Sequence, residues 1–366
     1  MTQISFSFKD ITFLEEFVTC ADAFSPDKEA VYLCNTGGSL ELSFSSYKGS
    51  VFCRQKIPVE HKFRFGVAAK NFCKSIKRAL NSEVEITLNK SFMSLKEKNT
   101  KVKLPTQIYQ KFSPPKDLVV LSADTTAFIT KELPRVFSNI KDTKIPRFPG
   151  VLVDQTQNFM LLCNFSDTAI SLAASPSNDY NNRYVISPDV AKLLKSKLTV
   201  ANTFLGKNHF GVETENGVLS FSPLMSDTYP KEYLSSLGLQ ESISLIDKQQ
   251  YFVHVFDTSH LLTVIDGISS ILGTEEVAVN FSICGSAGGN PVWEIKSRNF
   301  DGFGVEEVIT SLGEIKDFSF SVNRVSLKNF LSSYDEEKVY LYVREGNAVV
   351  LGNEASTKLV ILLKAG

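Results

Sequence analysis

The sequence predicts an α+β protein made of three tandem repeats, each with two helices packed on antiparallel sheets. Three observations predict it. Strands outnumber helices by about three or four to one, too many for alternating βαβ units around a parallel sheet. The order strand, helix, strands recurs six times along the 366 residues, and such self-similarity marks a repeat architecture even when identity between copies is low. Pro-rich and polar stretches separate the copies, giving domains at 1–115, 116–245 and 246–366.

The clearest unit is 182–222, closed by 223–237. Arg183-Tyr184-Val185-Ile186 alternates as a strand. Ser187 is placed to cap a helix with Pro188 at its first position and Asp189 in its first turn. Val190, Leu193, Leu194 and Leu198 share one helix face, and Lys192, Lys195 and Ser196 the other. Strands are expected at 206–214 and 217–222 around the turn Glu215-Asn216-Gly217.

The same reading applies along the chain. Residues 4–8 alternate as a strand, and a helix over about 11–24 carries Phe13, Leu14, Phe17, Val18 and Ala21 at helical spacing. Strands follow at 30–35, 39–46, 50–56 and 62–65, then a helix over 68–80 with Ala69, Phe72, Ile76 and Leu80 inward. Strands at 84–88 and 92–96 complete the first repeat, and Leu104-Pro105-Thr106 and Ser113-Pro114-Pro115 mark its exit. The second repeat opens with a strand at 117–122 and a helix to 140, capped by Asp124 or Thr125 and kinked or split by Pro134. Strands are expected at 150–154, 159–164 and 168–174, ahead of the unit described above. In the third repeat a strand at 251–256 precedes a helix to 272, capped by Asp257 or Thr258. Strands at 276–283, 292–298, 302–309 and 318–322, a helix at 326–333, and strands at 339–344, 348–352 and 359–364 finish the chain.

Composition excludes several classes. The chain is 43% hydrophobic and 22% charged with a net charge of −1, so bulk charge does not favour nucleic acid and only its local distribution can. Six cysteines and four histidines neither form Cys-x-x-Cys nor cluster by spacing, so buried reduced thiols are expected and no metal site. No apolar run reaches the ~20 residues of a membrane span, and the first residues lack a signal pattern. A cytoplasmic protein without cofactor or membrane partner is expected. No phosphate-binding loop or nucleophile elbow is present, so no enzyme is expected. Gly285-Ser286-Ala287-Gly288-Gly289 reads as a hairpin loop, ahead of a phosphate cradle.

The informative charges lie on the helices. Opposite the apolar stripe of 68–80 stand Lys70, Lys74, Lys77 and Arg78. The next helix offers Lys131 and Arg135, with Lys141, Lys144 and Arg147 just beyond; the helix from Pro188 offers Lys192, Lys195 and Lys197; the last offers Arg324 and Lys328. Helices side by side would then present a basic lining suited to phosphates, with no base-reading element. Simple solvated lysines remain the alternative. Glu15, Glu16 and Asp22 on the first helix, and only His260 and Asp266 on the third repeat's first helix, make the lining uneven.

Three such domains in a chain of this length resemble the bacterial DNA polymerase III beta subunit, the sliding clamp. The resemblance is most specific in Leu224-Met225-Ser226-Asp227-Thr228-Tyr229-Pro230-Lys231-Glu232-Tyr233, which resembles the family's leucine-(valine or isoleucine)-x-glycine-x-(tyrosine or phenylalanine)-proline-aspartate-tyrosine loop. Gly150-Val151-Leu152 and Ser187-Pro188 with Leu193-Leu194 resemble a strand start and a helix start of its central domain. The family's alanine-threonine-aspartate-glycine-histidine-arginine-leucine segment is here Phe165-Ser166-Asp167-Thr168-Ala169-Ile170-Ser171, with only the Asp in register. The methionine- and proline-rich tail is here Leu359-Val360-Ile361-Leu362-Leu363-Lys364-Ala365-Gly366. These departures mark a divergent member, phage-encoded in one reading, which would then act in the host cytoplasm.

The resemblance implies a head-to-tail homodimeric ring around double-stranded DNA, binding without sequence preference and tethering a polymerase after placement by a clamp loader. It also implies a partner-peptide pocket with Phe165, Thr168, Ile170 and Leu172 on one wall, Tyr229, Pro230, Tyr233 and Leu237 on a loop, and Val360, Ile361, Leu362 and Leu363 at the C-terminal side. Burial in the core is the competing reading for these strand residues. The ring interface is expected at 92–96, or beside the helix at 68–80, against 302–309. The alternatives are a monomeric, non-ring polymerase accessory factor that binds DNA, or a β-rich structural or assembly protein.

Overall fold

A computed structural model describes residues 4–8, 10–24, 29–56, 61–79, 83–89, 91–140, 150–155, 159–165, 169–176, 182–225, 252–273, 278–299, 301–314, 317–344, 348–352 and 358–362. The chain divides into two compact units, Met1–Thr130 with Ile186–Met225, and Lys131–Val185 with Ser226–Gly366.

The first unit holds β1 (Ile4–Phe8), α1 (Thr12–Ala23), β2 (Ala30–Asn35), β3 (Ser39–Ser45), β4 (Ser50–Lys56), β5 (Phe63–Ala68), α2 (Ala69–Arg78), β6 (Val84–Leu88), β7 (Phe92–Glu97), β8 (Thr100–Gln107) and β9 (Leu118–Val120). Later in the chain, α4 (Pro188–Lys195), β14 (Val200–Gly206), β15 (His209–Thr214) and β16 (Val218–Pro223) return to it. Its strands form one 12-stranded sheet in the order β1-β6-β7-β8-β5-β2-β3-β4-β16-β15-β14-β9. The β4–β16 ladder, Val218↔Cys53 to Phe221↔Ser50, carries the sheet past residue 115, the first expected boundary. The core lies under this sheet. Phe13, Leu14, Phe17, Val18 and Ala21 form the buried stripe of α1, and Phe17 meets Phe72 of α2 edge-on at 6.5 Å. Each fully buried Phe contributes about 1.5–3 kcal/mol relative to exposure.

The second unit holds β10 (Val151–Gln155), β11 (Phe159–Phe165), β12 (Ala169–Pro176), β13 (Arg183–Ile186), β17 (Phe252–Asp257), α5 (Thr258–Leu272), β18 (Ala278–Ala287), β19 (Asn290–Arg298), β20 (Gly304–Thr310), β21 (Leu312–Gly313), β22 (Ser319–Asn323), α6 (Arg324–Ser333), β23 (Lys338–Arg344), β24 (Ala348–Leu351) and β25 (Lys358–Leu362). One sheet runs β13-β10-β11-β12-β25-β24-β23-β17-β21, and a smaller one β20-β19-β18-β22. The β12–β25 ladder, Ala169↔Ile361 to Leu172↔Lys358, repeats the β4–β16 junction. In both, the last strand of a first half-repeat meets the last strand of the next repeat's second half. The core gathers around Trp293, whose indole N–H donates to Ser311 Oγ at 3.0 Å, while Phe281 stacks on Phe320 at 4.7 Å.

α3 (Ala123–Asn139) contains the boundary between the units and runs unbroken through Pro134, so the expected split does not occur. Ser122 rather than Asp124 or Thr125 caps it, its hydroxyl accepting from Thr125 N at 3.2 Å. Asp257 caps α5 by accepting from His260 N at 2.8 Å. Ser187 stands at the start of α4, but its hydroxyl bonds Ser222 at 2.9 Å instead of capping the helix. α4 ends at Lys195, so Leu198 packs on the core from beyond the helix.

Three strands escaped the sequence reading, the shortest being the two-residue β21. β14 carries Asn202 and Thr203 where a strand is usually apolar. β8 runs through Pro105, where an exit was expected. Thr106 N donates to Ser91 O at 3.1 Å, so the Pro105 nitrogen faces away from β7 and its missing donor leaves that ladder intact. The glycine-rich segment is a hairpin: Ala287 pairs with Asn290 across Gly288 (φ 59°) and Gly289 (φ 83°), a two-residue turn that needs φ > 0 at both positions.

Candidate nucleic-acid interface and partner site

In the first unit α1 packs against both α2 and α4. α2 buries Ala69, Phe72, Cys73 and Ile76, which turns Lys70, Lys74, Lys77 and Arg78 outward, all four exposed. α4 buries Val190, Ala191 and Leu193 and leaves Lys192 and Lys195 exposed. Lys192 lies 3.6 Å from Asp189, and Lys77 pairs with Asp22 of α1. Exposed pairs of this kind contribute about 0–1 kcal/mol, so their ammonium groups can exchange partners readily.

The acids of α1 weigh less against this face than their number implies. Glu16 is buried, accepting from Thr214 Oγ1 and, at 2.9 Å, from Asn216 Nδ2. Asp22 is the partner of Lys77. Glu15 is half-buried.

In the second unit α6 packs against α5 and against the end of α3. Asn329 Nδ2 donates to Ser138 O at 2.8 Å and Ser333 Oγ to Asn139 Oδ1 at 3.2 Å. Lys131 is exposed, 3.6 Å from Glu132, and the half-buried Arg135 lies 3.5 Å from Glu132 and pairs with Asp335. Lys328 lies 2.7 Å from Asp266. Arg324, read from the sequence as outward, is buried instead, and its guanidinium donates to Gly273 O at 2.7 Å. Gly273 is the C-cap of α5, where the helix carbonyls attract a cation. Among the described helix residues, exposed positive charge is therefore concentrated on α2 and α4, and the unevenness lies in the second unit. Lys141, Lys144 and Arg147 lie outside the described residues.

The partner-pocket positions fare differently. β12 and β25 are neighbours, with Ile170 opposite Val360. Ile170 and Leu172 are, however, buried core residues at 0% and 2% exposure, so they are not placed to line a surface pocket. β12 is buried on both faces from Ala169 to Ala173, where Ser171 on the alternate face accepts from Asn139 Nδ2 at 3.1 Å. Phe165 ends β11, and Val360, Ile361 and Leu362 stand in β25. Thr168, Tyr229, Pro230, Tyr233, Leu237 and Leu363 lie outside the described residues.

Among the described residues no group of three His, Cys, Asp or Glu side chains could hold a metal. Cys20, Cys34, Cys53, Cys73 and Cys163 are buried free thiols, while Cys284 is exposed, on the part of β18 that extends beyond its ladder with β22. Burial pushes the thiols of Cys20, Cys73 and Cys163 up to about 12, so they stay protonated and unreactive. No described helix is long and apolar enough to cross a membrane.

No protein-family model matches this sequence, and no curated protein does. Solved structures do match over nearly their whole length. The beta subunit of DNA polymerase III from Thermotoga maritima superposes with a TM-score of 0.77 at 14% identity, covering 99% of both chains. The fold is that of the sliding clamp. A sliding clamp from Bartonella birtlesii, solved with griselimycin bound, gives 0.77 at 14% identity over 99% of both chains. The beta subunit from Pseudomonas aeruginosa gives 0.73 at 13%, covering 98% of this chain and 99% of that one. The similarity lies in the order and pairing of elements, which explains how a chain with so few shared residues carries the clamp fold throughout.

Proposed function

We propose that this protein is a DNA sliding clamp, a non-enzymatic processivity factor that closes as a head-to-tail homodimer around duplex DNA. Each chain supplies three domains, at 1–115, 116–245 and 246–366. The repeated junction carries the reading. β4 meets β16 and β12 meets β25, so the next strand in the series, β20, requires the counterpart β8. Both have an edge to offer. β20 ends its sheet, and β8 bonds β5 only through Thr106 and Gln107, leaving its edge over Thr100–Pro105 without a ladder. Pairing β20 with β8 of the same chain would close a ring of half the size. A second copy therefore supplies each partner strand, and two heterologous contacts close the ring.

The interface is thus assigned to β8 and β20. β7, the strand expected from the sequence, already has β6 and β8 on its two edges. The chemistry is complementary: Lys101 and Lys103 on β8 are exposed, as are Glu306 and Glu307 on β20. Exposed Phe303 and Val308 on or beside β20 add apolar area.

Lys70, Lys74, Lys77, Arg78, Lys192 and Lys195 supply most of the phosphate contacts, with Lys131, Arg135 and Lys328 released from their acidic partners as duplex enters. Binding is sequence-independent because the helices offer cations to the backbone and no element to a groove. A polymerase and a loader dock through a short peptide near the β12–β25 strand pair, with Tyr229, Pro230, Tyr233 and Leu237 on the loop side. Negative-stain images of the purified protein test this reading: closed two-chain rings support it, and single open arcs at every concentration favour a monomeric accessory factor.

A further inference from the structure

The ladder between β5 and β8 is two pairs long, Gly66↔Gln107 and Val67↔Thr106. Beside it, where β5 runs on past the end of β8, a cavity of about 560 Å³ opens against Ile4 of β1 and the end of β6, within the range of ligand sites and away from the Thr100–Pro105 edge of β8. Its apolar floor is Ile4, Phe63, Phe65 and Leu88, of which Phe63 and Phe65 are half-buried and rest on the core. Its rim is cationic, with His61, Lys62 and Arg64, all exposed. The Arg64 guanidinium lies 5.9 Å from the ring of Tyr109, which itself meets Tyr32 edge-on, so the charge has a defined seat. Among the described residues no acidic side chain lines the cavity. Asn89 closes one side, held by its Oδ1 accepting from Ser91 N and Phe92 N at 2.9 and 2.8 Å.

We infer that this cavity is a second partner site, for an acidic peptide carrying one apolar or aromatic anchor residue. The anchor enters the floor and the flanking carboxylates meet the cationic rim. A nucleic-acid strand suits the site less well. Stacking needs open ring faces in a through-running basic groove, whereas Phe63 is already stacked on Phe6 at 6.0 Å and the cations stand at one rim. The site lies wholly in the first unit and does not involve the β12–β25 strand pair of the second, so it is distinct from the partner site proposed there.

The test uses full-length protein and a fluorescein-labelled peptide Glu-Glu-Phe-Leu-Glu-Glu, with Glu-Glu-Ser-Ser-Glu-Glu as the charge-matched control and a ten-nucleotide oligo-dT as the nucleic-acid probe. Fluorescence anisotropy should show binding of the Phe-Leu peptide at least tenfold tighter than the control and weakening with salt. Lys62→Glu with Arg64→Glu should reduce it at least tenfold, and so should Gln107→Trp, which fills the mouth without changing charge. Circular dichroism and duplex-DNA binding should be unchanged in both variants. Equal binding of the two peptides, or binding that survives both variants, overturns the inference. Oligo-dT binding abolished in Gln107→Trp while the peptide fails to bind also overturns it and gives the cavity to single-stranded nucleic acid.

Discussion

The carboxylate of Glu16 on α1 accepts a hydrogen bond from the hydroxyl of Thr214 on β15, 2.5 Å away and 198 residues further along the chain. A buried acid on a helix otherwise lined by basic neighbours is therefore a tie between the first repeat and the returning strands. Glu16→Ala strands the Thr214 hydroxyl and the Asn216 amide. It should cost about 1–3 kcal/mol of stability, read as a lower melting temperature, with duplex-DNA affinity unchanged. Glu16→Gln, which keeps an acceptor, should recover part of the loss. A melting temperature unaltered by Glu16→Ala would mean the tie is dispensable.

Changing Lys70, Lys74 and Lys77 to Glu should weaken duplex binding strongly while leaving far-UV circular dichroism intact. Single Lys→Ala changes at Lys70 or Lys74 should each lower the slope of log affinity against log salt, by about 0.9 for every phosphate the protein no longer neutralises. Anisotropy titrations over a range of sodium chloride concentrations measure this. An unchanged slope would place the DNA surface elsewhere.

Glu306→Lys with Glu307→Lys opposes like charges across the proposed β8–β20 edge and should shift sedimentation from dimer to monomer. Adding Lys101→Glu and Lys103→Glu in the same chain should restore the dimer, because the charge pairing is then reversed and not removed. Failure of the fourfold variant to reassociate would argue against this pair of edges.

His254 supplies a pH dependence. It is buried beneath Gly313, edge-on to Trp293 at 5.0 Å, and 3.4 Å from Ser311 Oγ. Burial holds its pKa below the ordinary 6.5, outweighing the opposite pull of Glu314. The folded protein therefore keeps this ring neutral when the unfolded chain has already taken up a proton. Stability is full above about pH 6.5 and falls as pH drops toward the lower folded value. Urea unfolding between pH 7.5 and 5.5 should show that decline, and His254→Phe should flatten it. An identical decline in the variant would assign it to carboxylates.

Most elements were legible because alternation and turn residues bound them: β2, β4, β6 and β13 run over the expected residues. β8 was hidden by its lysines and proline, which stand where one side of the strand has no ladder and such residues are tolerated. Arg324 and Glu16 were misread for one reason. Charge argued for the surface, yet Arg324 stands at i, i+3, i+7 with Leu327 and Leu331, and Glu16 shares the stripe of Phe13, Phe17 and Cys20. Position on the stripe outweighs charge where a carbonyl, hydroxyl or amide waits to pair with it. The exposed lysines and arginine of α2, and Lys192 and Lys195 of α4, were legible because helical spacing sets them opposite Phe72, Ile76 and Leu193, whereas Lys197 lies beyond the end of α4. Ile170 and Leu172 were read as a pocket wall and are core, because strand spacing alone does not say which faces of β12 are covered.

Encirclement of DNA is the central claim, and covalent closure tests it most directly. In a Cys284→Ser background, which removes the exposed native thiol, Lys103→Cys and Glu306→Cys joined by a flexible bis-maleimide after incubation with a nicked circular plasmid should lock the ring at both interfaces. The account predicts protein that stays on the circle in sodium dodecyl sulfate and is released when a restriction enzyme linearises the plasmid. Crosslinked dimer that leaves the intact circle in detergent would contradict it.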